Sequence, residues 1–221
     1  MGDLDHSDGA ERVSEEQAGT SQAEAPKTEE PKTEEPKTEE PKTEEHWVFG
    51  YGSLMWRPGF DYVERQPALL RDHRRAFCIY SVHHRGTPER PGLVLGLAPG
   101  GCVRGTAYRV DDAIWPEVYA YLLEREQPTE TYLEARVQVV LGRGGRVTAT
   151  AFLSDYHHPQ WAGALSLERQ AELIAGASGL SGRNVDYLRD LVAHLHETDT
   201  RDRDMDTLLA KVEALEAATA G

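Results

Sequence analysis

The chain has 221 residues, 39% of them hydrophobic, with 24 basic and 38 acidic side chains. Residues 1–45 hold 15 of the acidic and 5 of the basic groups, leaving a mildly acidic remainder long enough to close one hydrophobic core and too short to need two. No basic stripe exists to follow a phosphate backbone, which argues against a nucleic-acid partner, and no charge-free run reaches the length of a membrane span.

Residues 1–25 are polar and acidic without apolar periodicity, the composition of a disordered segment. From Pro26 to Glu45 the pentapeptide Pro-Lys-Thr-Glu-Glu occurs four times. A proline in every fifth position removes helix hydrogen bonds and offers nothing to bury, so an extended, solvated arm is expected over 1–45, with the folded domain over 46–221. The acidic amino terminus is unlike a secretory signal. Cys78 and Cys102 form no metal-ligand spacing, and two free thiols fit a reducing, cytoplasmic setting.

The domain opens with Val48-Phe49-Gly50-Tyr51-Gly52-Ser53-Leu54. Val48 and Phe49 read as the end of a buried strand, and the glycines let the backbone turn tightly and bring N–H groups close to an anionic ligand. A plain turn between strands has the same composition. Residues 55–66, with Pro58 and Gly59, read as a loop. Two apolar clusters, 68–70 and 76–80, predict two short strands separated by Arg71 to Arg75. His83 to Gly92 is a loop carrying Arg85 and Arg90; its paired histidines lack acidic or thiol neighbours at ligand spacing, so no metal site is expected. Strands are predicted over 93–97 and 102–110, joined through Pro99-Gly100-Gly101.

Ile114, Val118, Tyr121, Leu122 and Arg125 recur at helical spacing, with Asp111 or Asp112 as cap and Pro116 in the first turn, and the helix ends at Glu126. The period then changes to two over 133–141 and 147–153, an antiparallel hairpin turned at Gly142-Arg143-Gly144-Gly145. Three helices are predicted over 167–177, 184–196 and 205–217, with Ser181 to Asn184 capping the second. Strands first and helices later favour an α+β fold: an antiparallel sheet or small open barrel covered by helices.

A carboxylate at a helix carboxyl end, beneath an apolar face, gains proton affinity from the macrodipole and from desolvation, as a general base near neutral pH requires. Glu126 occupies such a place, although exposed glutamates are also common there. Arg125 beside it reads as a solvated or salt-bridging side chain.

The Val48–Leu54 segment, His84-Arg85-Gly86, the stretch 101–109, Tyr121 to Glu126, and Ser181-Gly182-Arg183-Asn184 followed by Tyr187-Leu188 together resemble the ChaC-like, glutathione-specific gamma-glutamylcyclotransferases, from about His46 into the last helices. The resemblance implies that Glu126 is the catalytic base and that Val48, Phe49, Gly50, Tyr51, Gly52 and Ser53 bind substrate. It also implies a tyrosine six residues after the base, which Tyr132 supplies. Glu130 departs from related bacterial sequences, which tend to carry glycine there, and this bears on that loop's shape more than on the activity. The implied reaction is closure of the gamma-glutamyl group of glutathione on its own amine, giving 5-oxoproline and cysteinylglycine, without metal or redox cofactor. Tyr132 is then a candidate hydrogen-bond donor and Arg85 and Arg90 candidates for the glycyl carboxylate. Cyclisation of other gamma-glutamyl amines, and a non-catalytic anion-binding module, are the alternatives.

Overall fold

The computed structural model describes residues 45–126 and 131–220. Residues 1–44 of the arm expected over 1–45, and the Glu130 loop, lie outside the described residues. Five strands close a barrel in the order β1-β3-β2-β4-β5. They are β1 (His46–Gly50), β2 (Glu64–Ser81), β3 (Gly92–Val110), β4 (Tyr132–Leu141) and β5 (Arg146–Ser154). Neighbours run antiparallel except β1 and β5, whose parallel pairing of Trp47 with Ala149 and Val48 with Thr150 completes the ring. The barrel is therefore closed where an open one was a candidate. That pairing joins segments a hundred residues apart and has no local signature.

The strands before and after the 83–92 loop are each continuous, where two pairs of short strands were expected. Polar Arg71 to Arg75 does not interrupt β2, because one irregularity absorbs the mismatch: the register passes from Arg71 opposite Cys102 to His73 opposite Pro99. Asp72 takes φ 62° there, and Gly100 and Gly101 take φ 87° and 80° on the facing strand. Such a bulge bends the ladder without ending it.

Helix α1 (Trp115–Glu126) follows β3, and α2 (Leu167–Ile174), α3 (Asn184–Glu197) and α4 (Arg203–Ala220) follow β5. Between α2 and α3 a two-residue pair, β6 (Ser178–Gly179) with β7 (Gly182–Arg183), makes a small hairpin. Phe49, Leu70, Leu95, Val103, Val139 and Ala151 share one core with Ile174, Leu188, Leu195, Leu208 and Val212 of the three later helices. Val48, Val110 and Phe152 form a second core with Val118 and Leu122 of α1. Strand β1 is thus buried on both faces, which is why it reads as an unbroken apolar run rather than an alternating one.

Asn184 is not the cap expected of it. Arg183 stands at the cap position without a side-chain capping bond, and Asn184 is completely buried. Its Oδ1 accepts from the Leu93 N–H at 2.7 Å and its Nδ2 donates to the Leu93 carbonyl at 2.7 Å. One amide side chain thereby satisfies both backbone groups at the start of β3. Asn184→Ala should leave both unpaired in the core and destabilise the domain by about 2–5 kcal/mol, read as a lower denaturant midpoint at unchanged m value.

Candidate active site

The glycine turn begins where β1 ends. Gly50 pairs with Thr106, and a Cβ on Gly50 would lie 2.7 Å from the Leu54 Cβ, so only a glycine lets the chain fold back on itself here. A single 3-10 turn, Ser53–Met55, follows. Among the described residues the backbone N–H groups of Gly52, Ser53 and Leu54 donate to no acceptor. Three successive amides at a helical start form a concavity suited to an anion.

Two arginines hold this turn. Arg75 of β2 is 3% exposed. Its Nε donates to the Tyr51 carbonyl at 2.7 Å, its Nη2 to the Met55 sulfur at 3.3 Å and to the Arg104 carbonyl, and its Nη1 pairs with Asp202 at 3.1 Å. Burial lowers its pKa and the Asp202 charge opposes that shift. Arg125 grips the other side. Its Nη1 donates to the Arg57 and Pro58 carbonyls at 2.6 and 3.1 Å and to the Tyr121 hydroxyl at 2.8 Å, and its Nη2 donates to Ser53 Oγ at 2.9 Å. It is therefore a structural clamp as well as an ion-pair partner, a larger role than its helix-end position suggested.

Helix α1 delivers Glu126 to the turn. Pro116 lies in its first turn, where the missing N–H is harmless, and Asp111 Oδ1 accepts the Ala113 N–H just ahead of it. At the far end, Glu126 Oε1 lies 3.0 Å from Arg125 Nε, with the glutamate side chain 21% exposed. Desolvation raises the Glu126 pKa above the usual carboxylate range, and the Arg125 charge and hydrogen bond pull it back. The net displacement is upward, so burial outweighs the adjacent cation.

Glu126 shares one cavity with Phe49, Tyr51, Gly52, Ser53, Leu54, Leu95, Tyr132, Phe152 and Tyr187. Its volume is about 70 Å³, well below the roughly 300–1,000 Å³ of pockets that enclose a drug-sized ligand. It has room for a compact polar head. Tyr51 donates to the Phe152 carbonyl at 2.7 Å and Tyr132 to the Leu95 carbonyl at 2.6 Å. Burial pushes the hydroxyls of Tyr51, Tyr132 and Tyr187 upward, so all three are neutral at physiological pH.

Of the residues expected to bind substrate, Phe49, Tyr51, Gly52, Ser53 and Tyr132 line this cavity with Glu126, whereas Val48 and Gly50 do not. Val48 is fully buried in the core beneath α1. Arg85 and Arg90 are also outside the lining. Arg85 donates to the Ser181 and Arg183 carbonyls at 2.5 and 3.4 Å, and Arg90 donates to the Ala175 carbonyl at 3.1 Å. Arg90 borders a larger hollow of about 480 Å³ with Glu172, Arg183 and Glu216, which contains no tyrosine and whose Glu216 is paired with Arg183 at 2.6 Å. Chemistry rather than size singles out the smaller cavity. Sequence reasoning passed over Tyr187, although Tyr187-Leu188 stood in the motif, because Leu188 and not Tyr187 belongs to the apolar period of α3 with Val185, Leu191, Val192 and Leu195. Among the described residues no three His, Cys, Asp or Glu side chains gather as a metal site, and no helix is long and apolar enough to cross a membrane.

The model of the family described as ChaC-like protein matches residues 46–215. A "Glutathione-specific gamma-glutamylcyclotransferase" of Escherichia coli is 37% identical, the match covering 76% of this chain and 73% of the relative. "Gamma-glutamylcyclotransferase 2-1" of Arabidopsis thaliana is 36% identical over 64% of this chain and 70% of its own. The crystal structure of a gamma glutamyl cyclotransferase specific to glutathione from yeast superimposes with a TM-score of 0.67 at 25% identity, covering 78% of this chain and all of that one. Arg125→Met should raise the Glu126 pKa further, because the opposing cation is lost while burial remains; a carboxyl-carbon NMR titration should show the inflection moving to higher pH.

Proposed function

The chain belongs to the ChaC-like protein family, and from that premise we propose that it is a gamma-glutamylcyclotransferase acting on glutathione. The observation that carries the reading is a desolvated carboxylate, Glu126, sharing a compact cavity with Gly52, Ser53 and Leu54 of the glycine turn, whose amides donate to no acceptor among the described residues. In a gamma-glutamyl amide the α-amine reaches the γ-carbonyl of the same residue. The new N–C bond closes a five-membered ring, the original C–N bond breaks, and the products of glutathione are 5-oxoproline and cysteinylglycine.

Holding the folded-back conformer supplies much of the rate, since the attack is intramolecular. The amine is largely protonated at neutral pH, with a reference pKa of about 7.7–8. A carboxylate whose proton affinity has been raised toward that value is the better base. Glu126 accepts a proton as the amine attacks and returns one to the departing nitrogen. The amides of Gly52, Ser53 and Leu54, with Arg125 behind Ser53, hold the permanently charged α-carboxylate. The small cavity encloses the glutamyl head and leaves the departing group outside it. That favours, as a second reading, the same ring closure on other gamma-glutamyl amines, which a panel of such compounds resolves.

Incubation with glutathione should release 5-oxoproline and cysteinylglycine in equal amounts. Glu126→Gln should lower kcat by about 10²- to 10⁴-fold. Folding stability should be kept: with its folded pKa raised, Glu126 supports the fold in its protonated form at low pH and loses that contribution as pH rises through the folded pKa, so a neutral amide costs nothing at pH 7. Full activity in this variant would remove Glu126 as the base. We place the enzyme in the cytoplasm, where the free thiols of Cys78 and Cys102 stay reduced, and assign residues 1–45 no part in turnover. Deleting them should leave kcat/KM nearly unchanged, and a large loss would show that the arm contributes.

A further inference from the structure

Three tyrosines face the cavity beside Glu126, and their hydroxyls are not equivalent. Those of Tyr51 and Tyr132 donate to the Phe152 and Leu95 carbonyls. Tyr187, in the first turn of α3, lines the same cavity but differs from both. Among the described residues its own proton has no acceptor. The ring of Tyr187 is fixed from two sides. Phe77 meets it edge-on at 5.6 Å between centroids, and the Arg85 guanidinium lies 5.1 Å from its centre. Burial pushes the hydroxyl up to about 12, while the Leu95 amide and the Arg85 charge act in the opposite direction.

We propose that Tyr187 donates a hydrogen bond to the γ-carbonyl oxygen as that oxygen gains negative charge during ring closure. This assignment rests on the cyclotransferase reading. The proton remains with the tyrosine, while Glu126 carries the protons that move between nitrogens. The division of labour follows from charge. The α-carboxylate is anionic throughout and suits the turn amides near Arg125. The γ-carbonyl oxygen is neutral in the ground state, so an uncharged donor interacts with it most strongly in the transition state and accelerates the step.

Tyr187→Phe preserves the ring and its contacts with Phe77 and Arg85 and removes the proton. It should lower kcat by about 10²- to 10³-fold with KM changed by less than about threefold and the unfolding midpoint retained. Fluorotyrosine in place of Tyr187 restores a proton on a more acidic phenol and should recover turnover; dependence on ring acidity is a response that a packing role does not produce. Should the Phe variant fold poorly, the fluorinated protein decides the matter in the same way. A kcat within about threefold of the unaltered protein, or a loss confined to KM, overturns the assignment. If the unaltered protein releases no 5-oxoproline, the cyclotransferase reading falls and this assignment with it; normal turnover in both proteins removes the Tyr187 assignment alone.

Discussion

The site depends on a buried cation. Arg75 projects from β2 into the space beneath the glycine turn, where it meets the Tyr51 carbonyl, the Met55 sulfur, the Arg104 carbonyl and Asp202. Its side chain is 1% exposed and that of Asp202 19%. A guanidinium so far from water is tolerable only when its donors and its charge are satisfied, and removing one partner of such a pair typically costs about 3–5 kcal/mol. The arrangement trades stability for position. It fixes the turn to two strands of the barrel and to the entry of α4, so the amides of Gly52, Ser53 and Leu54 are set by the core rather than by the loop they belong to.

The electrostatics above that cation are a contest between burial and a second arginine. Arg125 reaches four carbonyl or hydroxyl groups around the turn and still lies against the Glu126 carboxylate. It would hold an exposed glutamate firmly ionised, yet the carboxylate is held above its ordinary range because desolvation prevails. The same arginine also fastens the end of α1 to Ser53. The group that shapes the anion-binding turn is therefore the one that tunes the base beside it, and the two properties cannot be varied separately at that position. The barrel supplies the opposite wall through Leu95 and Phe152, whose backbone carbonyls orient two of the three tyrosines.

Local periodicity was sufficient for α1, the β4–β5 hairpin and the later helices, because each has one buried face and a clear break at its ends. It failed where polar or glycine residues interrupt a pattern without interrupting a strand, as at Arg71–Arg75 and Pro99–Gly101. It also says nothing of the β1–β5 pairing. Glu126 illustrates the limit for function: its place at a helix end was legible, whereas the cavity that buries it is lined by Tyr51 of the turn, Tyr132 of β4 and Tyr187 of α3, which are distant in sequence. Arg75 and Asp202 are 127 positions apart, and nothing in either neighbourhood announces the partner. Asn184 shows a related ambiguity, since a helix-start asparagine and a side chain that mimics a neighbouring strand are identical in one dimension.

The direct test of the whole account is a crystal structure with 5-oxoproline bound. The account predicts the lactam nitrogen within hydrogen-bonding distance of Glu126 and the carboxylate on the amides of Gly52, Ser53 and Leu54. A ligand seated instead in the larger hollow beside Arg90 and Arg183, or oriented with its nitrogen away from Glu126, would contradict it.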